Sequence, residues 1–203
     1  IQKAVSYIIA IHVPVVGLAL LPVILGVPTI LWPVHLAFLE LVIDPVCSIV
    51  FEAEPPESTI MVRPPRPASA RLFSKEVVAT GLIQGLMALT AVLLIYWNIG
   101  RMGEDADHAR AVAFAALLFI NVALITSLRS RSGRIWDNFL RPNPVLYPVL
   151  GVVALVATVV FYVPFAAKGF HFRPPHAIDL AVSGGIAALV LVAFEGVKSA
   201  LRR

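Results

Sequence analysis

The stretch HLAFLELVIDPVCSIVFEAEPP, residues 35–56, decides how the whole chain is read. It is apolar on both sides of Glu40 and Asp44, and Pro45 follows the second carboxylate directly. Acids four residues apart lie on one face of a helix, about one turn from each other. Pro45 has no N–H to give the carbonyl of Leu41, and its ring crowds that carbonyl, so backbone oxygen becomes available beside the acids. Carboxylate and carbonyl oxygens on a broken apolar helix are the donor set of a hard-cation site. The bland alternative is a pair of acids hydrogen-bonded to neighbouring helices with no role in transport.

The rest of the chain supplies the setting. Hydrophobic residues make up 59% of it and charged residues 14%, with a mean hydropathy of +0.89, far from a soluble globular domain. Apolar runs of about 20 residues, the length needed to cross a hydrocarbon core, fall near 4–25, 30–51, 76–98, 109–128, 144–165 and 177–197. The expectation is therefore an all-α, polytopic membrane helix bundle with six transmembrane helices. Pro14, Pro22 and Pro33 interrupt the first two runs, which membrane helices tolerate where neighbours re-satisfy the freed backbone groups.

Basic residues orient such a bundle, because Lys and Arg are retained on the cytoplasmic side. With the start inside, Lys3, Arg63, Arg66, Arg71, Lys75, Arg129, Arg131, Arg134, Arg141, Lys198, Arg202 and Arg203 fall inside, and only Arg101, Arg110, Lys168 and Arg173 fall outside. Both ends are then cytoplasmic. The net charge of +4 follows from topology and contacts with lipid headgroups, and no nucleic-acid partner is called for. Trp32 and the Tyr96–Trp97 pair mark outer boundaries as interfacial anchors, whereas Trp136 lies in the second cytoplasmic loop. The single Cys47 cannot form an internal disulfide, and no secretory signal precedes the first run.

The chain starts at Ile1 without Met and enters an apolar run almost at once, as a segment of a longer polypeptide would. Residues 1–203 divide into a helix hairpin with the ion site (about 4–51), a Pro/Arg-rich cytoplasmic loop (about 52–75) and a four-helix support bundle (about 76–197). The loop, with EPPESTIMVRPPRP at 54–67, is too short to be a domain, and its prolines favour a stiff, extended connector.

Two further polar residues lie at membrane depth. His12 sits in YIIAIHVPVVGLALLP (7–22), where Pro14 frees the carbonyl of Ala10. The short loop GVPT (26–29) makes the first two spans antiparallel neighbours, so His12, Glu40 and Asp44 come to similar depth. His12 would then act as ligand, proton carrier or counter-charge, against the common alternative of a satisfied packing residue. Asn121, in the middle of the fourth span, is expected to be interhelical glue rather than a ligand.

Taken together, these passages resemble the C-terminal six transmembrane helices of a cation-transporting P-type ATPase of the calcium-pump-like group. ELVIDPVCSIVFEAEPPESTIMVRPPRP (40–67) is similar to that family's sixth helix and the loop after it, and GLALLPVILGVPTILWPVHLAFLEL (17–41) to the hairpin leading into it. FINVALITSLRSRS (119–132) resembles the eighth helix with its basic exit. The resemblance places ligand positions at His12 and Val15 in the first span and at Glu40, Ile43 and Asp44 in the second. Calcium pumps of the family carry Asn and Glu at the first pair and Asn, Thr and Asp at the others, so Asp44 alone keeps its identity. Glu40 replaces an amide by a carboxylate, while Val15 and Ile43 remove oxygens. The implied site holds one cation, or one or more protons, with Glu40 and Asp44 as the metal-binding carboxylates.

The resemblance also implies an ATP-driven cation translocase whose ATP and Mg are handled elsewhere. Neither the Asp-Lys-Thr-Gly phosphorylation motif nor the Thr-Gly-Glu string of the family occurs in this sequence. No cofactor is expected here. Arg63, Pro64, Pro65 and Arg66 would form a coupling loop towards the phosphorylation domain. The implied partners are the transported cation or proton, the lipid bilayer of a multi-pass cytoplasmic-membrane protein, and the upstream cytoplasmic and transmembrane domains of the same polypeptide. A gradient-driven secondary transporter and a non-transporting membrane assembly subunit are the alternatives.

Overall fold

The computed structural model describes residues 2–55, 75–129 and 143–200, and every regular element among them is helical. In chain order these are α1 (Gln2–Leu25), α2 (Pro33–Phe38), a π-helical turn (Leu39–Ile43), α3 (Asp44–Glu52), α4 (Lys75–Arg101), α5 (Ala106–Leu128), α6 (Leu146–Tyr162), α7 (Pro164–Gly169) and α8 (Ala177–Ala200). Among the described residues, five apolar helices are long enough to cross a membrane: α1, the continuous Pro33–Glu52 segment, α4, α5 and α8. The chain is a multi-pass membrane helix bundle.

The expected span 144–165 is realised differently. Pro164 disfavours the helical conformation for the residue before it, and Val163 is extended at φ −82°, ψ 119°. Helix α6 therefore stops after 17 residues, short of the roughly 20 that a perpendicular crossing needs, and α7 begins afresh with proline at its start.

Helix α1 passes through Pro14 and Pro22 without a break, and its broadest packing is against α4 rather than against its hairpin neighbour. Gly81 and Gly85 explain this. Four residues apart, they present bare backbone to α1 in the small-xxx-small manner of membrane helix pairs. A Cβ on Gly85 would come within 2.7 Å of the Ala10 carbonyl oxygen and 2.6 Å of Val13 Cβ, and one on Gly81 within 2.9 Å of Ile9 Cγ2. The Ala10 carbonyl is the one that Pro14 leaves without its i+4 donor. Helix α4 thus covers the weak point of α1 at backbone distance.

Helix α5 is the hub. In its apolar window 89% of residues are buried, against 17% for α8 at the rim. Its repeated alanines, such as Ala111, Ala113 and Ala116, are wholly buried and allow α4 and α8 to pack closely on it. A polar tie runs between these three helices, where Gln84 Nε2 of α4 donates to Ser127 Oγ at 3.4 Å, Ser127 Oγ donates to Glu195 Oε1 at 2.7 Å and Lys198 Nζ donates to the same oxygen at 2.8 Å.

Both ends of α5 carry buried arginines. Arg110, with a side chain 6% exposed, donates to the carbonyls of Thr29 and His171 and to Asp107 Oδ1. Arg129, 1% exposed, pairs through Nε with Glu54 Oε2 at 2.8 Å. Asn143 Nδ2 donates to that oxygen and to the Val50 carbonyl. The expectation that basic residues face lipid headgroups therefore fails for these two. A buried guanidinium has to be matched by acceptors, and here it laces separate segments together. Outside the helices, Asp105 caps α5 by accepting from the His108 amide at 2.7 Å. That bond, with the Arg173 guanidinium, holds its carboxyl below the usual carboxylate range.

Replacing Gly85 by Leu should force α1 and α4 apart and cost about 1–3 kcal/mol by overpacking. The melting temperature in detergent should fall clearly, whereas Gly100→Leu, where no neighbour lies within 4 Å, should leave it nearly unchanged.

Candidate functional site

The second long segment changes its winding at the two acids. The Asp44 amide donates to the Leu39 carbonyl, five residues back, and Pro45 has no amide to donate. The Glu40 carbonyl thus loses the donor an α-helix would give it, and so does that of Leu41. Single π turns of this kind recur at functional sites.

His12 and the two acids come together across this turn. His12 Nε2 lies 3.3 Å from Glu40 Oε1, and donor atoms of His12, Glu40 and Asp44 all lie within 4.8 Å of one another. The other ring nitrogen of His12 contacts the Ile8 carbonyl oxygen at 2.8 Å. A carbonyl can only accept, so Nδ1 carries the hydrogen and Nε2 turns towards the carboxylates. A lone pair on Nε2 and a carboxylate oxygen at that distance repel each other unless a proton or a cation lies between them. Asp44 Oδ1 is buried and has no hydrogen-bond partner, although such oxygens are nearly always satisfied.

The walls are uneven. Val15 and Ile43 are buried and offer no oxygen, so the donors gather on the His12, Glu40 and Asp44 side. The His12 and Glu40 side chains are 42% and 44% exposed, leaving the constellation open on one flank. Cys47, one turn beyond Asp44, is buried and free.

Asn121 is not part of this group. It is 1% exposed, and its Oδ1 accepts from the Tyr7 hydroxyl at 2.7 Å, linking α1 to α5. The coupling-loop residues Arg63, Pro64, Pro65 and Arg66, together with Trp136, lie outside the described residues.

One polar residue that supports the site was not singled out from the sequence. His35 is fully buried. Its Nδ1 accepts from the Trp32 amide at 3.0 Å, which leaves Nε2–H to donate to the Phe170 carbonyl at 2.7 Å. Phe172 stacks on the ring, 4.7 Å between centroids. These contacts fix the entry of the segment that carries Glu40. The local signal was Trp-Pro-Val-His, with proline at the first helical position and a side chain at the third that can reach back to the cap amide. Trp32 belongs to the same arrangement. It stacks on His171 at 4.4 Å and lies under the Arg110 guanidinium, rather than acting only as an interfacial anchor.

Comparison with known proteins places these features in context. Residues 28–200 match the family described as cation transporting ATPase, C-terminus. A calcium-transporting ATPase of Bacillus subtilis is 25% identical over 168 residues, covering 81% of this chain and 18% of that protein. Calcium-transporting ATPase type 2C member 2 of Rattus norvegicus is 23% identical over 98% of this chain and 21% of its own length. Calcium-transporting ATPase 1 of Bacillus cereus is 26% identical over 95% and 23%. The chain thus spans about a fifth of the length of these relatives.

Tyr7→Phe and Asn121→Ala should each lower thermal stability in detergent, and the double variant should show a coupling of about 0.6–2 kcal/mol, the range for interhelical hydrogen bonds in membranes. Apparent ion affinity should barely change. A large affinity loss at unchanged stability would instead make Asn121 a ligand.

Proposed function

The chain belongs to the cation-transporting ATPase C-terminus family, and from that premise we propose that it is the membrane part of an ATP-driven cation pump. Glu40 and Asp44 hold the transported cation, with His12 Nε2 as the third donor. The observation that carries this reading is the buried, unpartnered Asp44 Oδ1, set within 4.8 Å of donors from His12 and Glu40 at a turn whose backbone carbonyls have lost their donors. The oxygen-rich, doubly acidic set suits a hard cation. Calcium, named for the relatives, is the first candidate. The loss of oxygens at Val15 and Ile43 argues for a single ion.

The half-exposed flank of the site supports a role for the rest of the polypeptide. Acids at mid-span are not stable against lipid, so upstream transmembrane helices would cover His12 and Glu40 and complete the coordination. In this reading the six apolar helices all cross the membrane, α6 with α7 making the short crossing, and both ends face the cytoplasm. The ATP- and Mg-handling domains are other parts of the same polypeptide. Glu54, paired with buried Arg129, gives a firm base to the segment that precedes Arg63, Pro64, Pro65 and Arg66, which in this reading couple ion site and phosphorylation domain.

In the full-length pump, Glu40→Gln and Asp44→Asn should each lower apparent cation affinity at least about tenfold, equivalent to about 1.4 kcal/mol, read as cation-stimulated phosphorylation from ATP. Wild-type stimulation in both variants would rule the site out.

A further inference from the structure

A second constellation lies at the opposite end of α5 from the Arg129–Glu54 pair. His108 stands in the first turn of α5, its amide held by the Asp105 cap. His176 and Asp179 stand at the start of α8. His108 Nε2 is 3.2 Å from Asp179 Oδ2, and His176 Nδ1 is 3.2 Å from the same oxygen. Donor atoms of the three residues lie within 4.8 Å of one another. The His176 amide also donates to Asp179 Oδ2, at 2.8 Å, and so fixes the carboxylate.

We propose that His108, His176 and Asp179 bind a divalent transition-metal ion of the zinc class, clamping the start of α5 to the start of α8. Two imidazoles and one carboxylate are a borderline donor set, suited to zinc, cobalt or nickel rather than to calcium or magnesium. The spacing fits as well. Bonds of 2.0–2.1 Å to a tetrahedral zinc imply edges of about 3.3 Å between donors, close to both measured separations. Without an ion, the His176 Nδ1–Asp179 Oδ2 contact serves as a hydrogen bond.

The surroundings agree with this assignment. His108 is 1% exposed and its Nδ1 has no partner, so an ion would engage the ring through Nε2, the nitrogen that faces Asp179. Access is open from the other side. The His176 side chain is 59% exposed, and Asp179 lines a cavity of about 590 Å³ between α4, α5 and α8. The buried Ser183 hydroxyl, one turn further along α8, lines the same cavity and also has no partner. Two arginines at this end are already held by other acids, Arg173 by Asp105 and Glu104 and Arg110 by Asp107, and Arg101 lies over the Trp97 ring. They leave the Asp179 carboxylate to the ion. Because α5 and α8 share one of the largest helix interfaces of the bundle, such a clamp would lock that pair. It shares no residue with the His12, Glu40 and Asp44 group and does not depend on the transport reading.

The test is a zinc titration of the full-length, chelator-stripped protein in detergent, by competition with a chromophoric chelator. Parallel titrations use His176→Ala, Asp179→Asn and, to silence the other constellation, a Glu40→Gln/Asp44→Asn variant. The expected result is one equivalent of zinc bound by the wild type and by the Glu40/Asp44 variant, with affinity falling at least about tenfold in His176→Ala and in Asp179→Asn. Cobalt in place of zinc should give the intense visible absorption of a tetrahedral site, lost in His176→Ala, a surface change that spares the fold. Zinc affinity unchanged in both variants, absence of zinc binding in the wild type, or loss of binding only with Glu40 and Asp44 would each overturn the proposal.

Discussion

In hydrocarbon a backbone amide or carbonyl finds no water, so each must be satisfied within the protein. The rest of this structure depends on where that rule is strained. Pro14 leaves the Ala10 carbonyl without its helical donor, and Gly85 brings α4 to within backbone distance of it, so the unpaired carbonyl lies at the seam of the broadest helix pair. At Pro45 the response is the opposite. The chain widens into a π turn that takes the α-helical donor from the Glu40 carbonyl, in the same turn that carries two carboxylates facing an imidazole. One kind of defect thus yields a packing contact in one place and a constellation of donors in the other.

Buried charge is managed by the same economy. Arg110 and Arg129 sit at opposite ends of the most buried helix, and each draws together segments distant in the chain: the 26–32 loop and His171 at one end, Glu54 at the other. A guanidinium with five donors suits this task because it can reach several acceptors at once. Asn143, which reaches both Glu54 and the Val50 carbonyl, extends the second cluster to the start of α6. The middle of the bundle can then be held by small residues and a few hydrogen bonds, such as Tyr7 to Asn121. The acids at Glu40 and Asp44 lie outside this laced framework, on a flank still half open.

Much of this was legible in the residues. Hydropathy and length marked the apolar helices, because a run of apolar residues has one stable state in lipid wherever it sits in the chain. The spacing of Glu40, Asp44 and Pro45 marked a break in a membrane helix, since proline acts on its own backbone. A short loop put His12 level with the acids, although depth alone did not say which way the ring faces. Other features depended on partners remote in sequence. The choice of α4 as the main neighbour of α1 rests on Gly81 and Gly85, whose value lies in what approaches them. The end of α6 at Val163 depends on a proline that hydropathy does not register.

The sequence by itself determined a multi-pass helical membrane protein with two carboxylates at a broken helix, because segment hydrophobicity, proline chemistry and helical periodicity are local properties. Only the tertiary structure decided that the break is a π turn and that His12 meets the acids through a nitrogen fixed by the Ile8 carbonyl. It also decided that Arg110 and Arg129 are buried ties, and that His108, His176 and Asp179 share one point in space. Those outcomes depend on distances between residues as many as 81 positions apart, which are set by helix packing and are invisible to any local pattern.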